Sequence, residues 1–215
     1  MAKKGRGIFL VYTDLIDDKH DEEFNAWYDT RHLPQLRAIP GILDAARYVA
    51  VKGGPKYLAV YELESADVIH SDAFVNRPRP EQDQQLSPRV IGKNFTTVLG
   101  DQIFPAGLEN VERNMAPVLQ IGRMSVPEAI DTEWNAWYNG EYIPGYRTVP
   151  GVIYARRYSV LEGEVQYTTV YEFESEAVPD SAAWNHQREH SSPKSGAMRD
   201  AMTMAMGSPG VYRRL

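Results

Sequence analysis

Within five residues the chain sets a phenol, an acid, a guanidinium and an imidazole side by side: Tyr28, Asp29, Arg31 and His32. Histidine titrates near neutral pH and suits proton transfer, while a phenol or guanidinium can stabilise negative charge as it develops. On a regular helix, residues at i and i+3 share a face, and adjacent positions diverge by about 100°. The spacing therefore predicts an Asp29–His32 pair, with His32 as general base or acid, Asp29 orienting it and Tyr28 assisting. Arg31 points elsewhere on this geometry and reads as a substrate contact, the weakest of the group. The competing reading is a solvated helix end, where a histidine is favoured by the negative end of the helix dipole.

The same stretch returns later without that chemistry. Glu23-Phe24-Asn25-Ala26-Trp27-Tyr28 becomes Glu133-Trp134-Asn135-Ala136-Trp137-Tyr138, an offset of 110 residues (138 − 28). Pro34 then meets Pro144, Pro40-Gly41 meets Pro150-Gly151, and Tyr61-Glu62 meets Tyr171-Glu172. Read without a gap, the agreement runs from Ile8/Val118 to Phe74/Trp184. Where the first copy has Asp29, Arg31 and His32, the second has Asn139, Glu141 and Tyr142. Shared letters speak for packing and differing letters for function, so the site is expected in the first copy, with the second as lid and wall.

The elements that must position these residues follow from periodicity. In each copy a β-rich run (from Ile8; from Val118) precedes a helix whose aromatic positions Phe24, Trp27 and Tyr28 share a face. Pro34 is expected to end that helix. A Pro-Gly turn, two strands joined at Gly53-Gly54-Pro55, a second helix from Ser65 to about Asn76, and a fourth strand near 94–104 complete the first copy. Residues 77–88 read as a polar surface loop. The order β-α-β-β-α-β is the split βαβ, ferredoxin-like pattern. An α+β chain of two tandem ferredoxin-like units is expected, their antiparallel sheets facing each other as a pseudo-dimeric α+β barrel. The boundaries fall at 1–104, a linker at 105–116, and 117–215. Tyr12, Tyr48 and Tyr61 lie on strands; with Trp27, Tyr138 and Tyr142 they are candidate linings of a cavity suited to a small hydrophobic or aromatic molecule.

The run Phe24-Asn25-Ala26-Trp27-Tyr28-Asp29, followed by Arg31-His32-Leu33-Pro34, Pro40-Gly41 and Arg47-Tyr48, resembles the dimeric α/β-barrel superfamily, and within it the EthD-like proteins. The resemblance spans both copies and implies the barrel fold, with a histidine at the place of His32. It implies no single activity: that superfamily holds cofactor-free monooxygenases, lactone isomerases, cyclases, dehydratases, decarboxylases and haem-handling proteins.

Composition narrows the field. The 215 residues carry no Cys, which removes thiolate nucleophiles and Cys-ligated metals, and a net charge of −6, which argues against nucleic acid. No apolar run approaches the ~20 residues of a membrane span, and a cytoplasmic location is expected. His186-Gln187-Arg188-Glu189-His190 matches His-x-x-Glu-His but lacks a third ligand, and it reads as a polar helix end rather than a zinc site. Met198, Met202, Met204 and Met206 read as core filler. The leading expectation is a lyase or isomerase using neither cofactor nor metal and working by acid/base catalysis in the barrel cavity. A cofactor-free monooxygenase is the alternative, as is a non-catalytic haem or metabolite carrier using His70, His186 or His190. Whether the chain pairs again as a homodimer is left open.

Overall fold

The computed structural model describes residues 4–107, 114–189 and 192–215. Eight strands close into one antiparallel ring. The first half supplies β1 (Gly7–Leu15), β2 (Ile42–Lys52), β3 (Tyr57–Leu63) and β4 (Gly92–Phe104), in the spatial order β4-β1-β3-β2. The second half supplies β5 (Val118–Ser125), β6 (Val152–Glu162), β7 (Tyr167–Phe173) and β9 (Gly210–Arg214), in the order β9-β5-β7-β6, with the short β8 (Thr203–Met204) paired to the end of β5. Pairing of β2 with β9 and of β4 with β6 joins the halves. Closure leaves the eight ring strands no free edge.

Alternation along the strands sorts side chains into two environments. Ile8, Leu10, Tyr12, Tyr48, Leu58, Val60, Ile121, Tyr158, Val170 and Tyr212 turn inward and pack as one cluster drawn from both halves. The barrel interior is therefore a core and not the cavity expected there. Lys4, Glu62, Glu172 and Arg156 form a buried ionic group beside it, with Lys4 Nζ 3.0 Å from Glu62 and 3.2 Å from Glu172. Opposite faces of the same strands carry Phe9, Ala45, Tyr61, Ala155, Tyr171 and Phe173 outward, beneath the helices.

Two expectations need correcting. In β1 Gly7 lies opposite Leu63, whereas in β5 Val118 lies opposite Phe173, so Val118 corresponds to Gly7 and not to Ile8. The offset is 111 in this strand and 110 from the helix onward. One residue of slip exchanges the faces of a strand: Ile8 points into the barrel and Val118 toward the helices. Pro34 does not end the first helix. The segment runs α1 (Asp21–Trp27), a π-helical turn (Tyr28–His32) and α2 (Leu33–Arg37). Pro34 falls in the first turn of α2, where a missing N–H costs little. After it, Gly41 takes φ +88° and Gly151 +86°, a conformation that holds both Pro-Gly turns to glycine.

The stretch expected as a surface loop is partly helical: α3 (Asp72–Val75) leads into residues 76–80, then α4 (Glu81–Gln85) and α5 (Pro88–Ile91). In the second half α6 (Asp131–Trp137), a π-helical turn (Tyr138–Tyr142) and α7 (Ile143–Arg147) repeat the first layer, followed by longer helices α8 (Ala182–Glu189) and α9 (Pro193–Asp200). Among the described residues, no helix is long and apolar enough to cross a membrane. Part of the expected linker, 108–113, and His190 of the His-x-x-Glu-His run lie outside the described residues.

Candidate functional site

The first helical layer is fixed to the sheet by a buried guanidinium. Arg47, on β2, donates from Nη2 to Asn25 Oδ1 at 2.5 Å and from Nη1 to Asp29 Oδ1 at 2.9 Å, and its plane lies 4.5 Å from the Tyr28 ring. Asn25 in turn donates to the Asp21 carbonyl and to Tyr57 Oη. The second half repeats the arrangement: Arg157 donates to Asn139 and Asn135 at 2.6 and 2.9 Å and lies 4.3 Å from the Tyr138 ring. Because Asn139 serves where Asp29 does, the position needs an acceptor oxygen and not a charge.

This anchor settles where Asp29 and His32 go. The Leu33 N–H bonds the Tyr28 carbonyl, five residues back, so the helix is widened by one residue over Tyr28–His32. The 100° step behind the expected Asp29–His32 pair does not hold there. Asp29 turns to Arg47 and stays half-exposed. His32 turns inward, its ring stacked on Trp27 at 4.5 Å and edge-on to Tyr28 at 4.8 Å. Neither imidazole nitrogen has a hydrogen-bond partner among the described residues. Burial, reinforced by Arg77 and Arg47, lowers the His32 pKa to about 4, so the ring is neutral at physiological pH. Arg31 pairs at 3.0 Å with Asp83 on α4 and braces that helix.

His32 lines a cavity of about 210 Å³ between the helical layer and the outer face of the sheet. Its floor is Phe9, Val11 and Tyr61 from the strands, and its sides are Tyr28, Leu36 and Phe74. The Tyr28 and Tyr61 hydroxyls bond each other at 2.8 Å, and burial raises both phenol pKa values, so both remain protonated. A contiguous lobe of about 120 Å³ shares His32, Arg77, Arg79, Ser87 and Arg89 with the first and adds Trp27, Gln35 and Asp83. Arg77 and Arg79 come from the stretch expected to be a surface loop, and Arg89 follows it on α5.

Of the residues nominated from sequence, His32, Tyr28, Trp27 and Tyr61 come together here. Tyr12 and Tyr48 do not; they fill the barrel interior. Tyr138 and Tyr142 occupy the matching place in the second half, where the Tyr142 ring lies 4.8 Å from each of the Trp137, Tyr138 and Tyr146 rings. There Tyr146 and Trp184 approach to 4.3 Å, in place of Leu36 and Phe74. A larger open depression of about 700 Å³ lies at one barrel mouth. Its polar groups already serve one another: Asn94 donates to Asp14 at 2.8 Å, and Arg123 to the Met206 carbonyl at 2.8 Å.

Among the described residues, no group of three or more His, Asp or Glu is arranged to hold a metal ion. Haem fits poorly at His32, because the two lobes of about 210 and 120 Å³ together reach only the lower end of the roughly 300–1,000 Å³ of pockets for drug-sized ligands. His70 is engaged at the surface with Glu162 at 2.8 Å.

No family model matches the chain, and no curated protein matches it in sequence. Solved structures match in fold. A candidate monooxygenase of Fusobacterium nucleatum superposes with a TM-score of 0.59 at 10% identity, over 98% of this chain and 93% of that one. An anthrone oxidase-like protein gives 0.56 at 11%, over 100% and 94%. A haem-binding protein from Thermus thermophilus gives 0.56 at 11%, over 100% and 93%. The chain has the dimeric α+β barrel fold, closed within one polypeptide.

Proposed function

We propose that the first half of the barrel is a cofactor-independent monooxygenase for a small, enolisable aromatic molecule. The observation that carries the reading is a neutral, unpartnered imidazole in an aromatic cavity with guanidinium groups on its wall. His32 takes a proton from an acidified C–H of the substrate, and the electron pair left behind delocalises onto the substrate's carbonyl or phenol oxygen. Arg77 and the Tyr28–Tyr61 hydroxyl pair offset that charge in a site of low dielectric. The carbanion then reacts with O₂, so that a ring CH₂ and O₂ give a ring C=O and water. A neutral base suits this step, since a histidinium could not accept the proton.

Lyase or isomerase chemistry would begin with the same proton transfer. The oxygenase outcome is preferred because three of the fold neighbours are named for oxidation, two as candidate monooxygenases and one as anthrone oxidase-like. The reading also treats the chain as a duplicated βαββαβ unit, divided near residues 105–116, whose copies have diverged into a reactive half and a filled one.

Anthrone is a direct probe. With chelator present and spontaneous oxidation subtracted, oxygen uptake should match quinone formation one to one. Changing His32 to Ala should lower turnover roughly 10²- to 10⁴-fold, the usual contribution of a general base. Product formation under argon at the aerobic rate would sink the oxygenase reading.

A further inference from the structure

Trp27 and Trp137 occupy matching positions, but their indole N–H groups do not fare alike. Trp137 Nε1 donates to Ser195 Oγ at 2.8 Å, and Ser195 Oγ donates to Glu141 at 2.8 Å. Trp27 is 4% exposed, and its Nε1, buried, has no acceptor among the described residues. A buried donor left unpaired is disfavoured, so native proteins almost always supply a partner. In the second half that partner is an oxygen brought by α9, itself tied to a carboxylate. In the first half the indole forms part of the outer lobe's wall.

The charges of that lobe point the same way. Arg77, Arg79 and Arg89 line it, and none has a carboxylate partner among the described ion pairs. Arg77 spends one amino group on the Phe74 carbonyl and stacks 4.1 Å from the Phe74 ring, and Arg79 donates to the Val75 carbonyl at 3.1 Å. Each guanidinium has five N–H donors, so donors remain on both. The one acid in the wall, Asp83, is held by Arg31. The inner lobe shares these arginines but adds the apolar side chains of Phe9, Val11, Leu36 and Phe74, and Trp27 lines the outer lobe alone.

We infer that the molecule bound here is a small aromatic carboxylate: its ring occupies the inner lobe beside His32, and its carboxylate the outer lobe, between Trp27 Nε1 and the guanidinium of Arg77. Arg79 and Arg89, at the rim, draw the anion in. A planar carboxylate matches a planar guanidinium in two parallel hydrogen bonds, and of the lone pairs it keeps, one can accept from the indole. The outer lobe, about 120 Å³, suits that group. The inference rests on the oxygenase reading for its site and adds the charge of the substrate.

Titration calorimetry with 2-naphthoate, the neutral 2-naphthamide and 2-naphthyl phosphate tests it on the whole chain. One naphthoate should bind per chain, at least roughly tenfold more tightly than the amide, as expected of a charge-assisted pair. Arg77→Gln should remove that preference while leaving amide binding in place. Trp27→Phe should weaken naphthoate roughly three- to tenfold, and Trp137→Phe should leave it unchanged. Should Arg77→Gln fail to fold, Arg79→Gln and Arg89→Gln should each lower naphthoate affinity with added salt sensitivity. Equal affinity for acid and amide, tighter binding of the phosphate, or indifference to all three arginine changes would overturn the inference. Naphthoate binding that depends on Arg77, with no oxygen uptake on anthrone, keeps the carboxylate and removes the oxygenase. Anthrone turnover without any preference for naphthoate does the reverse.

Discussion

The halves of this barrel share their scaffold and differ in what lies beneath the helices. Both hold the first helix to the sheet with a buried arginine, Arg47 or Arg157, and both widen that helix into a π-helical turn at the same place. Under that turn the second half is filled: Tyr142, Tyr146, Tyr171 and Trp184 form a chain of ring contacts. In the first half, His32, Leu36, Tyr61 and Phe74 stand at the corresponding positions and leave space. Volume is thus traded between stability and binding at only a few positions. The wide turn itself belongs to both halves, so it does not account for reactivity alone.

The largest effect should come from emptying the filled half. Trp184 is buried against Tyr146, Tyr171 and Phe173. Changing it to Ala should cost about 3–5 kcal/mol of stability and leave oxygen uptake in the first half intact. Chemical denaturation with a parallel activity assay measures both. If Trp184→Ala instead abolished uptake without unfolding the chain, the division of labour between the halves would be wrong.

The converse change writes the second half into the first. His32→Tyr, the residue at position 142, should cut turnover by at least about 100-fold, equivalent to roughly 2.7 kcal/mol in the barrier. Adding Leu36→Tyr should abolish naphthoate binding as well. Calorimetry on the two variants separates loss of the base from loss of space.

Acidity probes the same contrast more gently. His32 titrates at about 4 in the folded chain, against about 6.5 for a free histidine. The unfolded chain therefore binds the proton first. Folding stability linked to His32 is fully present above about pH 6.5, falls as pH drops from there to about 4, and changes no further below. Between pH 7 and pH 5 the loss should reach up to about 2 kcal/mol, and His32→Asn should remove it. Tyr142 confers nothing comparable on the second half, so a pH dependence unaltered in His32→Asn would place the titrating group elsewhere.

How much of this could be read beforehand varies by level. The repeat and the alternation of apolar residues predict the elements and the barrel, because periodicity reports which faces are buried. They miss the one-residue slip between β1 and β5, since both registers place apolar residues on both faces. Nothing in Tyr28–His32 marks a π-helical turn, which adds one residue per turn without a composition of its own. That turn is why His32 meets Trp27 and not Asp29. The arginines escaped notice for another reason: in Arg77-Pro78-Arg79-Pro80 the local composition is that of a loop, and only the tertiary path brings it over His32.

The smallest predicted effect bears on the residue that sequence made most prominent after His32. Asp29→Asn copies Asn139, which already accepts from Arg157 at 2.6 Å. Arg47 keeps an acceptor from the same position, and Asn25 remains bonded to it. Asp29 is half-exposed, with 55% of its side chain accessible, so solvent screens most of what its charge contributes. Stability should change by no more than about 0.5–1 kcal/mol, and turnover by less than about threefold, a barrier change of roughly 0.6 kcal/mol. A loss of two orders of magnitude in a variant that denatures like the parent would show that His32 depends on this carboxylate after all. The π-helical turn would then have to relax to a regular helix during turnover, because in the wide turn Asp29 is committed to Arg47. If the loss stays small, the first half differs from the second in its imidazole, its space and its arginines, and not in the acid beside them.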